Sequence, residues 1–375
     1  MRISGEWRVI VLAVVAAMTV FSPLTTTAPT LLLSIVVFFA SKPTKFRFDL
    51  PALLAVAIAA FSALSILWSI SVPVTISAAV TSAALSLYFI VARHVVATRL
   101  QLVILASGYL AGCAILITRL FALRVATPFD VRLNLPDVNA NYAGYALVAG
   151  FGVIILIWAA IPRRRYSTAA LTALAVLVGV GILLAGSRGT FVGLALLAAW
   201  LLISRILSKP PLWVFVGAAA FVALILTVGI IDRLLPAVEY ILGRPTGTWS
   251  GRLLIWPIAR DWWVDHFFIG SGASTLAVAN PMKIGAHNLI LELGAGQGIV
   301  GVAIFIAFLW FTFAKQPPLL VGCFIAVTMA SYLTGHWDLA PAAWAVLALF
   351  SRSELVDVAS VTKRARAAKP MAVLD

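Results

Sequence analysis

Four short stretches set polar side chains in otherwise apolar surroundings: LPDVNANYAG (135–144), AGSRGTF (185–191), WSGRLLIW (249–256) and AHNLILE (286–292). Arg188 and Arg252 carry a planar fork that binds carboxylate or phosphate oxygens in pairs and keeps its charge at any physiological pH. His287 carries the one side chain whose ordinary titration lies near neutrality, so it can take a proton from a reacting hydroxyl. Each also has a plainer reading. Arg188 sits where one apolar run meets the next almost without a loop, as a snorkelling arginine at a tight hairpin would. Arg252 reads equally as a solvated loop arginine, His287 as a residue capping a helix start, and Glu292 as the ion-pair partner of an arginine. If His287 lies on the helix, Glu292, five residues on, stands about 140° away around its axis, so the two do not share a face. Gly298 and Gly301 would ordinarily mark close helix packing.

The elements that position these residues follow from composition. The 375 residues are 63% hydrophobic and only 11% charged, with a mean hydropathy of +1.08. Soluble domains carry about a quarter of their residues as charges, so the chain is a polytopic membrane protein. Apolar runs are expected to span at about 8–22, 27–40, 50–69, 72–92, 100–118, 140–161, 168–186, 189–207, 211–231, 286–313, 317–335 and 338–351. Helices are the economical form, because they satisfy their own backbone and no alternating barrel pattern is visible. The first run has the basic start and apolar centre of a signal peptide but no convincing cleavage site, and is read as a retained span. Cys113 and Cys323 fall inside apolar runs, which argues against a disulfide framework or a zinc site.

Charge then sets the sides. The net charge of +14 is scattered between spans rather than gathered on a soluble face, so it reads as topology and not as a nucleic-acid footprint. Eighteen of the 27 basic residues fall in alternate connections, which the positive-inside rule makes cytoplasmic, together with both termini. Residues 1–351 form one transmembrane domain on this reading, with 352–375 a basic cytoplasmic tail and 232–285 a periplasmic loop with helices lying in the interface. All four polar stretches come to the outer face.

Taken together, these residues resemble a known family. His287-Asn288, nine residues, then Gly298-Ile-Val-Gly301 fits the H-[NSQ]-x9-G-x-x-G pattern of the O-antigen ligases, bacterial membrane glycosyltransferases. SGR with a following Trp, IGSGAS before the histidine, and GSRGTF resemble segments shared by O-antigen ligases and O-antigen or exopolysaccharide polymerases. Asp137-Val138-Asn139 resembles their D-P-N element, with valine in place of proline. The resemblance implies a type C glycosyltransferase-like helical fold, a polyprenyl (undecaprenyl) diphosphate-linked glycan as donor, a glycan or lipid acceptor, and no metal or other cofactor. By the same resemblance His287 is the general base and Arg188 and Arg252 are diphosphate ligands, with Asn288, Glu292, Asn139, Ser187 and Ser250 as supporting residues. Asp261 and Asp265, the one tight outer acidic pair, are explained by an amphipathic interfacial helix.

The expected function is therefore ligase-like transfer of a glycan to an acceptor hydroxyl at the outer face of a bacterial inner membrane. Polymerisation by the same donor chemistry is the alternative within the superfamily. A lipid-linked glycan transporter or flippase is the alternative outside it, disfavoured because the charged sites gather on one face and no two-half symmetry is visible. His336 and Asp338, at the last outer turn, are left without a role.

Overall fold

The computed structural model describes residues 6–41, 46, 48–127, 133–162, 164–207, 212, 252–335 and 338–356. Their elements are helical, apart from one isolated bridge between Leu135 and Val138. In chain order they are α1 (Glu6–Phe21), α2 (Thr27–Ala40), α3 (Leu50–Leu64), α4 (Val72–Val95), α5 (Arg99–Val125), α6 (Ala140–Ala160) and α7 (Arg165–Ala185). After these come α8 (Arg188–Ile206), α9 (Arg252–Asp265), α10 (Leu276–Ala279), α11 (Leu289–Phe313), α12 (Pro318–Thr334) and α13 (Pro341–Phe350).

Seven of these segments are long and apolar enough to cross a membrane: Leu50–Trp68, Val72–Val95, Arg99–Val125, Ala140–Ala160, Arg165–Ala185, Gly189–Ile206 and Leu289–Phe313. The expected spans 8–22, 27–40, 317–335 and 338–351 coincide with the shorter helices α1, α2, α12 and α13. The expected span 211–231 lies outside the described residues apart from Leu212, as do 232–251 of the outer connection and 357–375 of the basic tail.

Helix starts are locally encoded. Asp49 caps α3 by accepting from Ala52 N, Thr98 and Gln101 form a reciprocal capping box on α5, and Asn139 caps α6. Packing is close where residues are small: a Cβ at Gly108 or Gly112 of α5 would collide with the backbone of Ala13 or Ala17 on α1. One large core runs through the bundle, with Trp200, Trp344, Phe89 and Phe308 fully buried.

Hydrogen bonds define the two ends. At one, Arg93 pairs with Asp49 at 2.8 Å and donates to Ser351 O, Arg352 donates to Val96 O at 2.8 Å, and Gln316 bonds Ser351 and Ser353. These residues belong to the connections expected to be cytoplasmic. At the other end, Ser22 and Arg119 meet Asp137, and Tyr142 bonds Thr19 O and Ala342 N.

The main departure from the simple span pattern is inside α11. Gly298 breaks it with φ 63° and ψ −166°, a backbone region open essentially to glycine alone. In an unbroken helix Ile299 N and Val300 N would bond Ala295 O and Gly296 O. Instead Ile299 N donates to Phe267 O (2.8 Å) and Val300 N to Phe268 O (3.2 Å). Ala295 O and Gly296 O accept from Ser271 N (3.0 Å) and Gly272 N (2.9 Å). The 267–272 segment of the loop before α11 therefore enters the break, about 9–16 Å along α11 from Leu289 at 1.5 Å per residue.

The α3–α4 turn closes over the same segment. Ile70 N donates to Ser271 O (3.1 Å), Trp68 Nε1 to Ile269 O (3.2 Å), and Ala273 N to Ser65 Oγ (3.1 Å). Gln297, beside the break, donates to Ser62 Oγ at 2.8 Å.

A Cβ at position 298 would strike the backbone of Phe268 and Ile269. Gly298→Ala is expected to lower the detergent melting temperature sharply, by the equivalent of about 1–3 kcal/mol or more from the disallowed backbone alone. Gly301→Ala, whose Cβ would first meet the Gln297 side chain rather than backbone, should cost less. Equal melting temperatures for the two variants would refute the break as a structural requirement.

Candidate functional site

His287 does not open the helix, as the sequence suggested. It lies two residues before Leu289, half-buried, in the left-handed conformation at φ 52°. That conformation costs an L-residue roughly 1–2 kcal/mol and is uncommon outside glycine, so the surroundings must hold it. Both backbone groups of the preceding residue are held. Ala286 N donates to Glu292 Oε2 at 2.8 Å, and Ala286 O accepts from Trp256 Nε1 at 2.8 Å. Asn280, itself buried, braces the approach by donating to Leu276 O and to Ile284 O. The helical-wheel separation between His287 and Glu292 therefore does not apply, because the histidine stands off the helix. Glu292 folds back from the first turn of α11 onto the segment that carries His287.

Asn288 is the N-cap of α11. Its Oδ1 accepts from Ile290 N (3.0 Å) and Leu291 N (3.2 Å), while its Nδ2, fully buried, has no hydrogen-bond partner among the described residues. A buried donor left unpaired costs about 1–3 kcal/mol, so this amide is the feature of the motif least explained by folding.

Trp256 lies on α9, one turn after Arg252, so the backbone of Arg252 stands on the helix face that meets the histidine segment. Ile255, Trp256, Ala259, Ala286, Leu291 and Leu333 form a second buried cluster that holds α9 against α11 and α12. The side chain of Arg252 lies outside what the structure describes, and Ser250 lies outside the described residues.

The other two polar stretches form a second pair. Gly186 ends α7 in the left-handed conformation, Ser187 caps α8, and Arg188 is its first residue. Ser187 Oγ donates to Asn141 Oδ1 at 3.0 Å, which ties the hairpin to the start of α6. The side chain of Arg188 is outside what the structure describes. Asn139 accepts from Tyr142 N at 2.8 Å as the cap of α6. Both pairs stand at the same end of the bundle. Ala342 N donates to Tyr142 Oη, and Leu333, at the end of the helix before it, packs with Trp256 and Ala286.

Two features escaped sequence reasoning. The first is the bond from Trp256 to Ala286 O, since the sequence marks this tryptophan only as the one that follows SGR. The second is the ion pair of Arg119 with Asp137, 2.5 Å between Nη2 and Oδ1, to which Ser22 Oγ adds a bond of 3.0 Å and Arg119 a further donation to Phe21 O. The Arg119 guanidinium holds the Asp137 carboxyl below the usual carboxylate range, so it is ionised at neutral pH. Asp137 was legible as the opening residue of the D-V-N element, but nothing local names Arg119 as its partner.

The pair lies at the edge of a cavity of about 670 Å3 between the α1–α2 turn, the start of α4, residues 134–142, Ser274 and residues 339–341. Asp261, on α9, pairs with its neighbour Arg260 at 2.9 Å. Among the described residues no three His, Cys, Asp or Glu side chains gather as a metal-binding group. His336 lies outside the described residues, and Asp338 is buried, its carbonyl accepting from Trp344 Nε1 at 2.6 Å.

No curated protein matches the chain. The family model described as O-antigen ligase matches residues 173–306, a segment that runs from α7 through the SRG hairpin, α9 and the histidine turn into the broken helix. That match supports membership of the O-antigen ligase superfamily, whose members are ligases or polymerases.

Proposed function

We propose that the protein is an O-antigen ligase-like glycosyltransferase of the bacterial inner membrane. It moves a glycan from an undecaprenyl diphosphate carrier to an acceptor hydroxyl on the periplasmic side, with inversion and without a metal. About twelve spans with both termini in the cytoplasm would carry this site. The observation that carries the reading is the histidine turn. A proton-accepting side chain is held in a costly backbone conformation by a buried carboxylate and a tryptophan, at the bundle end where Arg188 opens α8 and α9 carries Arg252.

The chemistry is a single displacement. The acceptor oxygen attacks the anomeric carbon, the bond from that carbon to the diphosphate oxygen breaks, and the acceptor proton passes to His287. General-base help of this kind contributes about 10²–10⁴ in rate. The leaving diphosphate gains negative charge as the bond breaks. Arg188, at the first position of the 19-residue α8, adds its own charge to the positive end of the helix dipole. Arg252 supplies a second cation from α9, beside the histidine segment. Ser187, Asn139, Asn288, Glu292 and Ser250 serve as support: the first four cap or brace the segments that carry the reacting groups, and Ser250 precedes Arg252 in the SGR element.

Purified protein given an undecaprenyl-diphosphate oligosaccharide and a lipid A core acceptor should make a singly capped product, and His287→Ala should lose about a hundredfold or more of that rate while folding normally. Near-normal transfer by the variant would remove His287 as the base. A ladder of lengthening donor without the core would make the protein a polymerase, and no product from the wild type under either condition would overturn the transferase reading. Arg188→Lys keeps the charge but loses the bidentate fork, so its turnover should fall well below the wild type. A fully active lysine variant would refute paired contact with the diphosphate.

A further inference from the structure

The cavity of about 670 Å3 at the outer end is a separate compartment from the histidine turn, and its lining has a chemistry of its own. We propose that it binds uncharged sugar rings of the glycan substrate, and not the diphosphate or the polyprenyl chain. This rests on the glycan-transfer reading and deepens it.

The lining polar groups are neutral hydrogen-bonding groups of the kind that match sugar hydroxyls: Thr27, Ser77, Thr81, Asn134, Asn139 and Ser274. Asn134 and Asn139 spend their Oδ1 atoms on Ala140 N (3.0 Å) and Tyr142 N (2.8 Å). Each therefore has its amide N–H2 to offer a ligand oxygen. Pro23, Pro136 and Pro341 give the wall flat apolar patches against which the C–H faces of a pyranose can pack. The volume lies within the roughly 300–1,000 Å3 usual for small-molecule sites.

Charge argues against the diphosphate. Among the described lining residues there is no lysine, arginine or histidine, and the one charged group is Asp137. Arg119, the described cation beside Asp137, already donates to both Asp137 oxygens and to Phe21 O. A diphosphate here would meet a carboxylate without a free cation, whereas a sugar hydroxyl can donate to that carboxylate. A polyprenyl chain would leave the asparagine amides unpaired.

The cavity is also built into the transfer site. Ser274 reaches its rim from the loop spliced into α11, with φ 59°, a conformation rare for a residue other than glycine. Asn139 caps the helix whose next residues hold Ser187, beside Arg188.

The test uses the full chain carrying Thr81→Cys, since the native Cys113 and Cys323 are both buried. Alkylation of the new thiol by an uncharged maleimide is timed in the presence of three probes. These are the oligosaccharide released from the lipid-linked donor, a core oligosaccharide freed of lipid and phosphate, and undecaprenyl diphosphate without sugar. Either oligosaccharide should slow alkylation several-fold, and which one does so identifies the glycan as donor or acceptor. Asn134→Ala in the same background should raise the protecting concentration several-fold. Ser77→Cys reports from the same wall if the first variant fails to fold. Protection by the sugar-free diphosphate lipid, or by none of the three, overturns the assignment. Protection by sugar with no transfer by the wild type would leave the cavity standing and remove the transferase reading; transfer without protection would do the reverse.

Discussion

The structure depends on an exchange of backbone hydrogen bonds inside α11. In apolar surroundings every unpaired peptide group costs several kcal/mol, so a spanning helix can be interrupted only where another segment takes over its bonds. Gly298 interrupts α11, and the 267–272 segment takes over: two bonds within the helix give way to four bonds with the loop. The loop is then locked from its other side by Ser65, Trp68 and Ile70 of the α3–α4 turn. Three parts of the chain distant in sequence become one rigid unit. The histidine turn rises from one end of that unit and Ser274 leaves the other, so the position of both follows from a break at a single glycine.

The polar stretches share a second regularity, which is that they stand where helices begin. Asn139 caps α6, Ser187 and Arg188 open α8, Arg252 is the first described residue of α9, and Asn288 caps α11. A helix start presents unpaired N–H groups and a partial positive charge, which a membrane protein must satisfy with caps or with a ligand. Asparagine meets the first need at α6 and α11. Arg188 at the start of α8 goes beyond it, because it adds positive charge where the helix is already positive, an arrangement that folding alone disfavours and an anionic ligand would relieve.

How much of this was legible follows the range of each interaction. The helices were readable because apolar length and the capping residues are local, and connections expected on opposite sides do fall at opposite ends, Asp49 with Arg93 at one and Arg119 with Asp137 at the other. The histidine motif was readable as a pattern, but its geometry was not. Hydropathy counts Gly298 as one more apolar position, and its φ becomes visible only with Phe268 against it. Likewise nothing local in HNLILE says that Glu292 turns back to Ala286, since that bond needs the left-handed turn first. Trp256 and the cavity depend on pairings across 30 residues or more, beyond any spacing rule.

The two compartments at the outer end differ in sign, and that difference bears on how a transferase could work. Arg188 and Arg252 make the ends of α8 and α9 cationic, whereas the cavity carries an ionised carboxylate whose cation is fully engaged. A lipid-linked glycan is itself divided in the same way, anionic at the diphosphate and neutral at the sugars. On the proposed reading it could seat in only one direction, because reversing it would set the diphosphate against Asp137 and the sugars against Arg188 and Arg252. Orientation would then come from charge at fixed helix ends rather than from many sugar-specific contacts. The anomeric carbon lies between the two parts of such a donor, so the arrangement would present the scissile bond to His287 whichever sugars follow.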